Sequence, residues 1–179
     1  MKFNSLFVAG CLICASPVLL ADTTEANEQQ AENQRFTVEW VEPQKYRDVK
    51  HPHQSRKRFR EGVLDELSEF MAELSADLPQ NTKLSMKVTN LDLAGDILPA
   101  SFAGVGDSFR DVRVVRQIDI PRMVFSYELV DEKGQVLQSD EVKLKDMNFL
   151  DRANFSHRSD YLRYEKRMIK EWFESTFSV

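Results

Sequence analysis

The sequence predicts an α+β domain, in which a mainly antiparallel sheet of about four to five strands carries two helices packed on one face. Two segments carry apolar residues at steps of three or four, which is typical of helices buried on one side. Several other segments alternate apolar and polar residues, which is typical of strands with one buried face. One-sided helices and one-sided strands can bury each other's apolar surfaces, so these patterns together favour a two-layer domain.

The first two predicted elements are a short strand from residue 36 and a helix over residues 58–78. Pro43 ends the strand, and residues 44–56 are expected to form a loop. Pro79 marks the end of the helix, because a residue that precedes proline avoids the helical backbone region. The apolar positions that carry these predictions are Phe36, Val38 and Trp40 in the strand, and Phe59, Val63, Leu67, Phe70, Leu74 and Leu78 in the helix.

The middle of the chain is predicted to contain two further strands separated by an irregular stretch. Apolar and polar residues alternate over residues 84–88, and the phase slips at Asn90, where a bulge or the end of the strand would explain the change. Residues 94–109 hold three glycines and one proline and are expected to form the longest irregular stretch of the domain. A strand is predicted to begin at Val112 and to extend toward Ile120.

A hairpin and a closing helix are predicted for the last part of the chain. Residues 123–130 alternate, Asp131 to Gly134 form a turn, and residues 135–144 return as the partner strand. Gly134 is free to take the positive φ that such a turn requires. Residues 161–177 form the second helix, whose apolar side consists of Tyr161, Leu162, Met168, Ile169, Trp172 and Phe173.

The first 21 residues have the pattern of a secretory signal peptide. Lys2 supplies a positive start, residues 6–21 carry almost no polar side chain, and Ala21 is a small residue at the expected cleavage point. Cleavage there predicts a periplasmic protein without a transmembrane segment. In the alternative, Val8-Ala9-Gly10-Cys11 resembles a lipobox, and lipidation of Cys11 would anchor the protein; the apolar run, however, continues past Cys11.

The rest of the chain is predicted to form one domain, residues 36–179, behind a disordered polar spacer, residues 22–35. Removal of 21 from 179 residues leaves 158, a usual size for a single core. Loss of Lys2 leaves 23 basic and 29 acidic residues, a net charge of −6, which argues against nucleic-acid binding. Cys11 and Cys14 both lie in the leader, so the domain itself has no thiol.

Several local strings resemble those of a family of bacterial envelope proteins, the domain-of-unknown-function 3016 family. These strings are Val38-Glu-Trp40-Val-Glu-Pro43, Tyr46-Arg-Asp48, Asp92-Leu-Ala-Gly95, Arg113-Val-Val, Tyr164-Glu-Lys166 and Trp172-Phe173. The resemblance spans most of residues 36–175 and implies a small, secreted, single-domain protein. It implies no activity, because the family has none assigned.

Four basic residues, Arg56, Lys57, Arg58 and Arg60, lie at or just before the start of the first helix, with Lys50, His51 and His53 preceding them. Cations oppose the helix dipole at this end, whereas the free backbone N–H groups favour anions. We therefore expect the four residues to bind an anionic partner, such as a lipid head group, a lipopolysaccharide phosphate or an acidic protein. The alternative is a solvated face, in which the cations pair with neighbouring acids.

Asp92, Gly95, Gly104 and Gly106 are candidates for a ligand-binding loop. Gly104 and Gly106 lack the third glycine of a dinucleotide fingerprint and the Gly-Lys-Ser/Thr ending of a phosphate loop. In the structural alternative, Gly95 ends a strand and Asp92 holds a turn.

His51 and His53 are weak candidates for metal ligands, with His157 and Asp48 as further donors. A metal site needs three or four ligands that converge. The alternative is a solvated loop with two surface histidines, and we predict neither a metal nor another cofactor.

The sequence predicts no catalytic residue. Ser156 and His157 are sequence neighbours, which do not make a triad, and no nucleophile-elbow pattern is present. We therefore expect a non-enzymatic binding or accessory module for another envelope component. The alternatives are an enzyme that acts on an envelope polymer and a histidine-based metal-binding protein. A cleft with clustered titratable groups of shifted pKa would favour the enzyme.

Overall fold

A computed structural model describes residues 35–46, 48–99, 101–102, 111–151 and 160–178 of the chain. The elements in order are β1 (Phe36–Trp40), a short 3₁₀ helix (Pro43–Lys45), α1 (Arg56–Ser75), β2 (Thr82–Asp92), β3 (Asp96–Pro99), β4 (Asp111–Val114), β5 (Arg122–Asp131), β6 (Val136–Lys145) and α2 (Arg163–Phe177). The predicted α+β class is confirmed. The predicted signal peptide and nearly all of the predicted spacer lie outside the described residues.

Four of these strands form one mixed sheet in the order β1-β2-β5-β6, while β3 and β4 pair as a separate antiparallel unit. β1 runs parallel to β2, and the other neighbours in the sheet are antiparallel. Two parallel neighbouring strands need a long crossover connection between them. The segment between β1 and β2 contains α1, which provides this crossover. The sequence indicated a mainly antiparallel sheet, and the parallel β1–β2 pair is the exception that it did not show.

One face of the sheet and both helices share a single hydrophobic core. Strand register places the alternating apolar residues on the same face, in the cross-strand sets Phe36, Leu84 and Leu129; Val38, Met86 and Tyr127; and Trp40, Val88 and Phe125. The Trp40 indole N–H donates to Ser68 Oγ of α1 at 3.0 Å. The Trp172 ring of α2 packs edge-on against Phe125, with the ring centroids 4.7 Å apart. The prediction that both helices cover one face therefore agrees with these contacts.

The boundaries of α1 differ from the sequence prediction at both ends. The helix begins at Arg56, two residues before the predicted start, and ends at Ser75, before the predicted end at Leu78. The chain tightens after Ser75, because the N–H groups of Ala76, Asp77 and Leu78 bond to carbonyls three residues earlier. Leu78 is nevertheless buried, which is why it continued the apolar pattern of the helix.

The predicted irregularity at Asn90 is confirmed, since the β2–β5 register shifts between Val88 and Asn90. The predicted hairpin turn is confirmed as well, and Gly134 takes a φ of +79°.

Two expectations for the middle of the chain were wrong. Residues 94–109 are not irregular throughout, because β3 lies within them and pairs with β4. The strand from Val112 does not extend to Ile120, because β4 ends at Val114 and a turn follows. The Asp119 carboxylate accepts hydrogen bonds from the backbone N–H and the guanidinium of Arg116, at 3.0 and 2.9 Å, and these bonds hold the turn.

Candidate functional site

The four basic residues predicted as a binding surface occupy the first five residues of α1, and we call them the basic helix start: Arg56, Lys57, Arg58 and Arg60. The first three side chains are exposed and Arg60 is half-buried. Lys57 makes a loose contact with Glu61 one turn later, with Nζ and Oε1 3.7 Å apart. Within the described parts of the chain, no ion pair reaches Arg56, Arg58 or Arg60.

The helix end itself leaves its backbone donors without local acceptors. The first turn contains no acidic side chain, and the N-cap residue Ser55 makes no side-chain hydrogen bond to the helix. Each cation placed here opposes the helix dipole, at a cost of about 0.3–1 kcal/mol. Free N–H groups and guanidinium groups are both donors to phosphate and carboxylate oxygens. The chemistry of this surface therefore fits an anion.

The two histidines before α1 contact a carboxylate on β4. His53 Nδ1 lies 2.8 Å from Asp111 Oδ1, and His51 Nε2 lies 3.5 Å from Asp111 Oδ2. His51 Nδ1 accepts the backbone N–H of His53 at 3.2 Å, so the proton of a neutral His51 ring is on Nε2 and faces Asp111. The His51 ring also packs on Phe59 of α1, at 5.3 Å between centroids. The loop is thereby fastened to both α1 and β4.

This arrangement gives the metal hypothesis no further support. Across residues 35–46, 48–99, 101–102, 111–151 and 160–178, no group of three or more histidine or carboxylate side chains converges as metal ligands. His157, the further histidine donor that the sequence offers, lies outside these ranges.

Asp92 lies in a small polar pocket, which we call the acidic pocket. The pocket has a volume of about 200 Å³ and is lined by Asp48, Asp92, Leu93, Gly95, Asp96, Ile118, Asp119, Ile120 and Arg122. Arg122 Nη1 donates to Asp92 Oδ2 at 2.8 Å, and the two residues are direct cross-strand partners. Binding pockets for small molecules usually measure about 300–1,000 Å³, so this pocket is smaller than a usual small-molecule site.

Two carboxyl groups of the acidic pocket have pKa values shifted in opposite directions. Burial and a hydrogen bond with the Asp48 carboxyl raise the pKa of Asp92, and Arg122 offsets only part of this effect. The hydrogen bonds from Arg116 lower the pKa of Asp119. Within one pocket, the pKa of one carboxyl is therefore raised and the pKa of another is lowered, which is the kind of contrast found at many functional sites.

A buried polar network lies directly beneath Gly95. Arg113 donates from Nε to the Ala94 carbonyl and from Nη2 to Glu165 Oε1, both at 2.7 Å, and also donates to the carbonyl of Tyr161. Glu165 Oε1 accepts the Ala94 N–H at 2.7 Å as well. Three of the strings that carry the family resemblance meet here, those containing Gly95, Arg113 and Glu165. Their roles in this network are structural.

The structure brings together some of the sequence-predicted residues and leaves others apart. Asp92 and Gly95 both line the acidic pocket, whereas Gly104 and Gly106 lie outside the described residues. Sequence reasoning missed Asp119 and Arg122 as parts of the pocket. Neither belongs to a recognisable motif, and their positions follow from a turn and a strand register that the sequence does not display.

Among the described residues, no helix is both long and apolar enough to cross a bilayer. The model of a protein family described as "Protein of unknown function (DUF3016)" matches residues 34–175. No curated protein and no solved structure matches the chain.

Proposed function

Because the chain belongs to the DUF3016 family, whose description assigns no activity, we propose a function from the site itself. The protein is a non-enzymatic binding module of the bacterial envelope, and it binds an anionic envelope component through the basic helix start. The secretory pattern of the leader supports the location, and the absence of acids from the first turn of α1 supports the ligand chemistry.

The observation that carries this proposal is the contrast between the basic helix start and other cations of the domain. Arg122 and Arg167 bond carboxylates at 2.8 and 3.0 Å, and Lys166 bonds two carboxylates at 2.7 and 3.0 Å. Arg56 and Arg58, in contrast, extend into solvent without a described ion pair. An acidic chain that concentrates unpaired cations at the end of a helix creates a local attraction for anions that the molecule as a whole lacks.

The test is co-sedimentation of the purified protein with vesicles that contain an anionic lipid, at low and at high salt. We expect binding at low salt that salt weakens, no binding to zwitterionic vesicles, and loss of binding when Arg56, Lys57, Arg58 and Arg60 are all replaced by Gln. Lipopolysaccharide aggregates replace the vesicles in a second series.

A matched control keeps the change in net charge constant. Lys83, Lys87, Lys133 and Lys145 are exposed and lie away from α1, and their replacement by Gln removes the same charge. The proposal requires this control to bind like the wild type. Equal loss in both variants, or absence of binding by the wild type, contradicts it.

One observation favours a second function, an enzyme that acts on an envelope polymer. The acidic pocket combines a carboxyl of raised pKa, Asp92, with a neighbouring carboxyl and a cation, and a raised pKa moves a carboxyl toward the range that suits a general acid. Release of soluble fragments from purified peptidoglycan by the wild type, abolished by Asp92→Asn, would support the enzyme. No release by the wild type would leave the binding module as the better account.

A further inference from the structure

The outer edge of β6 combines free backbone groups with exposed apolar side chains. In the described residues β6 has a sheet neighbour on one side only, β5. Five large apolar side chains of the described residues are strongly exposed, and three of them, Val136, Leu137 and Met147, lie on β6 or just after it. An edge strand with exposed apolar residues is a common place for pairing with another chain.

The direction of the free backbone groups can be assigned from one hydrogen bond. The Glu141 N–H is not bonded to β5, because it donates to the side-chain Oδ1 of Asp140 at 2.8 Å. Residues alternate along a strand, so the odd-numbered residues from Ser139 to Lys145 direct their N–H and C=O groups outward; the register with β5 shifts before Gln138. Their side chains lie on the face of the sheet away from the helices, since Val142 and Leu144 face the core.

A groove accompanies the same edge on the helix side of the sheet. It has a volume of about 530 Å³, lies between the end of β6 and α2, and is lined by Leu144, Lys145, Asp146, Met147, Asn148, Met168, Glu171, Trp172 and Ser175. Leu144, Met147 and Trp172 give it an apolar part. A second strand added to β6 would bring its own helix layer beside this groove.

In one antiparallel register, β6 sets opposite charges across the interface and places no like charges opposite each other. With a two-fold axis at Val142, Glu141 of each copy lies opposite Lys143 of the other, and Val142 lies opposite itself. Opposite charges directly across a strand pair stabilise it, and like charges destabilise it. Residues directly opposite each other in a strand pair have their side chains on the same side of the sheet. Both helix layers therefore lie on the same side of the continuous sheet.

Each neighbouring register that keeps the helix layers on one side places at least one pair of like charges opposite each other. An axis at Glu141 places Glu141 opposite its own copy, and an axis at Leu144 places Lys143 opposite Lys145. An axis at Lys143 pairs Glu141 with Lys145 of the other copy, but it places Lys143 opposite itself at the centre of the pair. An axis at Asp140 places Asp140 of one copy opposite Asp140 of the other. The lysines therefore discourage other pairings, which is a common use of lysine at an edge.

We propose that the protein forms a symmetric dimer in which β6 pairs antiparallel with β6 of a second copy around a two-fold axis at Val142. The Glu141 N–H then exchanges the Asp140 carboxylate for a carbonyl of Lys143 in the second copy. The two sheets join into one, and Val136 and Leu137 at one end of β6 and Met147 beyond the other lie along the new interface. This inference is independent of the basic helix start, which lies on α1.

The first test is the mass of the purified protein by light scattering over a wide range of concentration. We expect a monomer–dimer equilibrium. Glu141→Lys and Lys143→Glu should each weaken dimerisation by about tenfold, because each change converts two cross-strand pairs from opposite to like charge. The double variant Glu141→Lys/Lys143→Glu should restore the dimer. Lys83→Glu, on β2, is the control and should leave it unchanged.

The second test locates the axis by a disulfide, with Cys11 and Cys14 replaced by Ser in every variant. Val142 and its copy form a non-hydrogen-bonded pair with Cα atoms about 4.5 Å apart, which a disulfide spans. Val142→Cys should therefore form a covalent dimer on mild oxidation. Gln138→Cys should not, because its two copies would lie about 27 Å apart at about 3.4 Å per residue.

Three results would overturn the proposal. One is a monomer at every concentration, and another is a dimer that both charge reversals leave intact. The third is a Gln138→Cys variant that crosslinks as well as Val142→Cys. A dimer that the single reversals weaken and the double variant restores, with crosslinking confined to Val142→Cys, supports it.

Discussion

A side chain at Gly95 would be unfavourable for two separate reasons, the backbone conformation of the residue and the atoms close to it. Its φ is +77°, and a Cβ there would overlap the carbonyl oxygen of Val114 and lie 2.9 Å from the Val115 Cα. Positive φ alone costs an L residue about 1–2 kcal/mol, and the overlap with backbone atoms adds to it. The same residue connects the acidic pocket to the Arg113–Glu165 network, so its strain would affect both.

We predict that Gly95→Ala lowers the free energy of unfolding by more than about 2 kcal/mol, measured by chemical denaturation. Two other glycines provide matched controls. Gly134→Ala should cost about 1 kcal/mol, because its φ is +79° but the space is open. Gly62→Ala should stabilise by about 0.5–1 kcal/mol, because Gly62 lies in α1 with nothing nearby. Equal effects of Gly95→Ala and Gly134→Ala would show that the overlap is not real.

The two perturbed carboxyls of the acidic pocket predict opposite effects of pH on stability. The pKa of Asp92 is raised in the folded protein, so its ionisation costs stability as pH rises through that folded pKa. Asp92→Asn should therefore be as stable as the wild type or more so at neutral pH. Its advantage should vanish below the unfolded pKa of aspartate.

The pKa of Asp119 is lowered, so its charge contributes stability that is lost as pH falls through the folded pKa. Asp119→Asn should be less stable than the wild type at neutral pH, and the difference should disappear in acid. Thermal unfolding of both variants from acidic to neutral pH is the measurement. Two differences of the same sign at neutral pH would refute the assignment of the two carboxyls.

At the scale of elements, the buried Arg113–Glu165 ion pair joins α2 to β4 and to the end of β2. Glu165 is fully buried and the Arg113 side chain is 8% exposed. Removal of one partner leaves a buried charge without compensation, so Glu165→Gln should cost about 3–5 kcal/mol. The double variant Arg113→Leu/Glu165→Met should cost less than the sum of Arg113→Leu and Glu165→Met measured singly. Additive losses in this double-mutant cycle would mean that the pair does not couple the elements.

Trp172 joins α2 to the sheet through its ring contacts. The ring lies 4.7 Å from Phe125 and 5.4 Å from Tyr127 between centroids, but the residue is half-buried rather than fully buried. Trp172→Ala should therefore cost about 3 kcal/mol, at the lower end of the range for a large aromatic residue. An unchanged melting temperature would show that these contacts contribute no stability.

Most of the elements could be predicted because each buries one face, and the buried face appears in the sequence as a periodic pattern of apolar residues. The bulge at Asn90 was visible for the same reason, since it changes the phase of burial. β3 was missed because all four of its residues are half-buried, so no alternation marks them. The parallel pairing of β1 was missed because burial patterns show which face is covered but not which strand lies alongside.

The two candidate sites also differ in how far the sequence alone could predict them. The basic helix start is a local run of charge at a helix end, and the sequence displays it directly. The acidic pocket depends on Asp48, Asp92 and Asp119, which are distant in sequence and meet only through the fold. Asp111 contacts His51 and His53 by the same kind of long-range approach, and no spacing rule relates the three.

For the whole molecule, the distribution of charge matters more than the net charge. The chain carries −5 overall, yet one helix end holds four cations of which three lack a described ion pair. We expect the variant with all four replaced by Gln to fold normally and to be as stable as the wild type, or more stable by about 0.3–1 kcal/mol, because repulsion with the helix dipole is removed. A large loss of stability would mean that the cations serve the fold.

The affinity of the basic helix start for an anionic surface tests the central claim most directly. Each basic residue near such a surface contributes about 1 kcal/mol, so the Gln variant at Arg56, Lys57, Arg58 and Arg60 should bind anionic vesicles about a hundred-fold or more weaker than the wild type at low salt. The control variant at Lys83, Lys87, Lys133 and Lys145 should retain nearly wild-type affinity. Equal dissociation constants for the two variants, or no measurable binding by the wild type, would contradict the account.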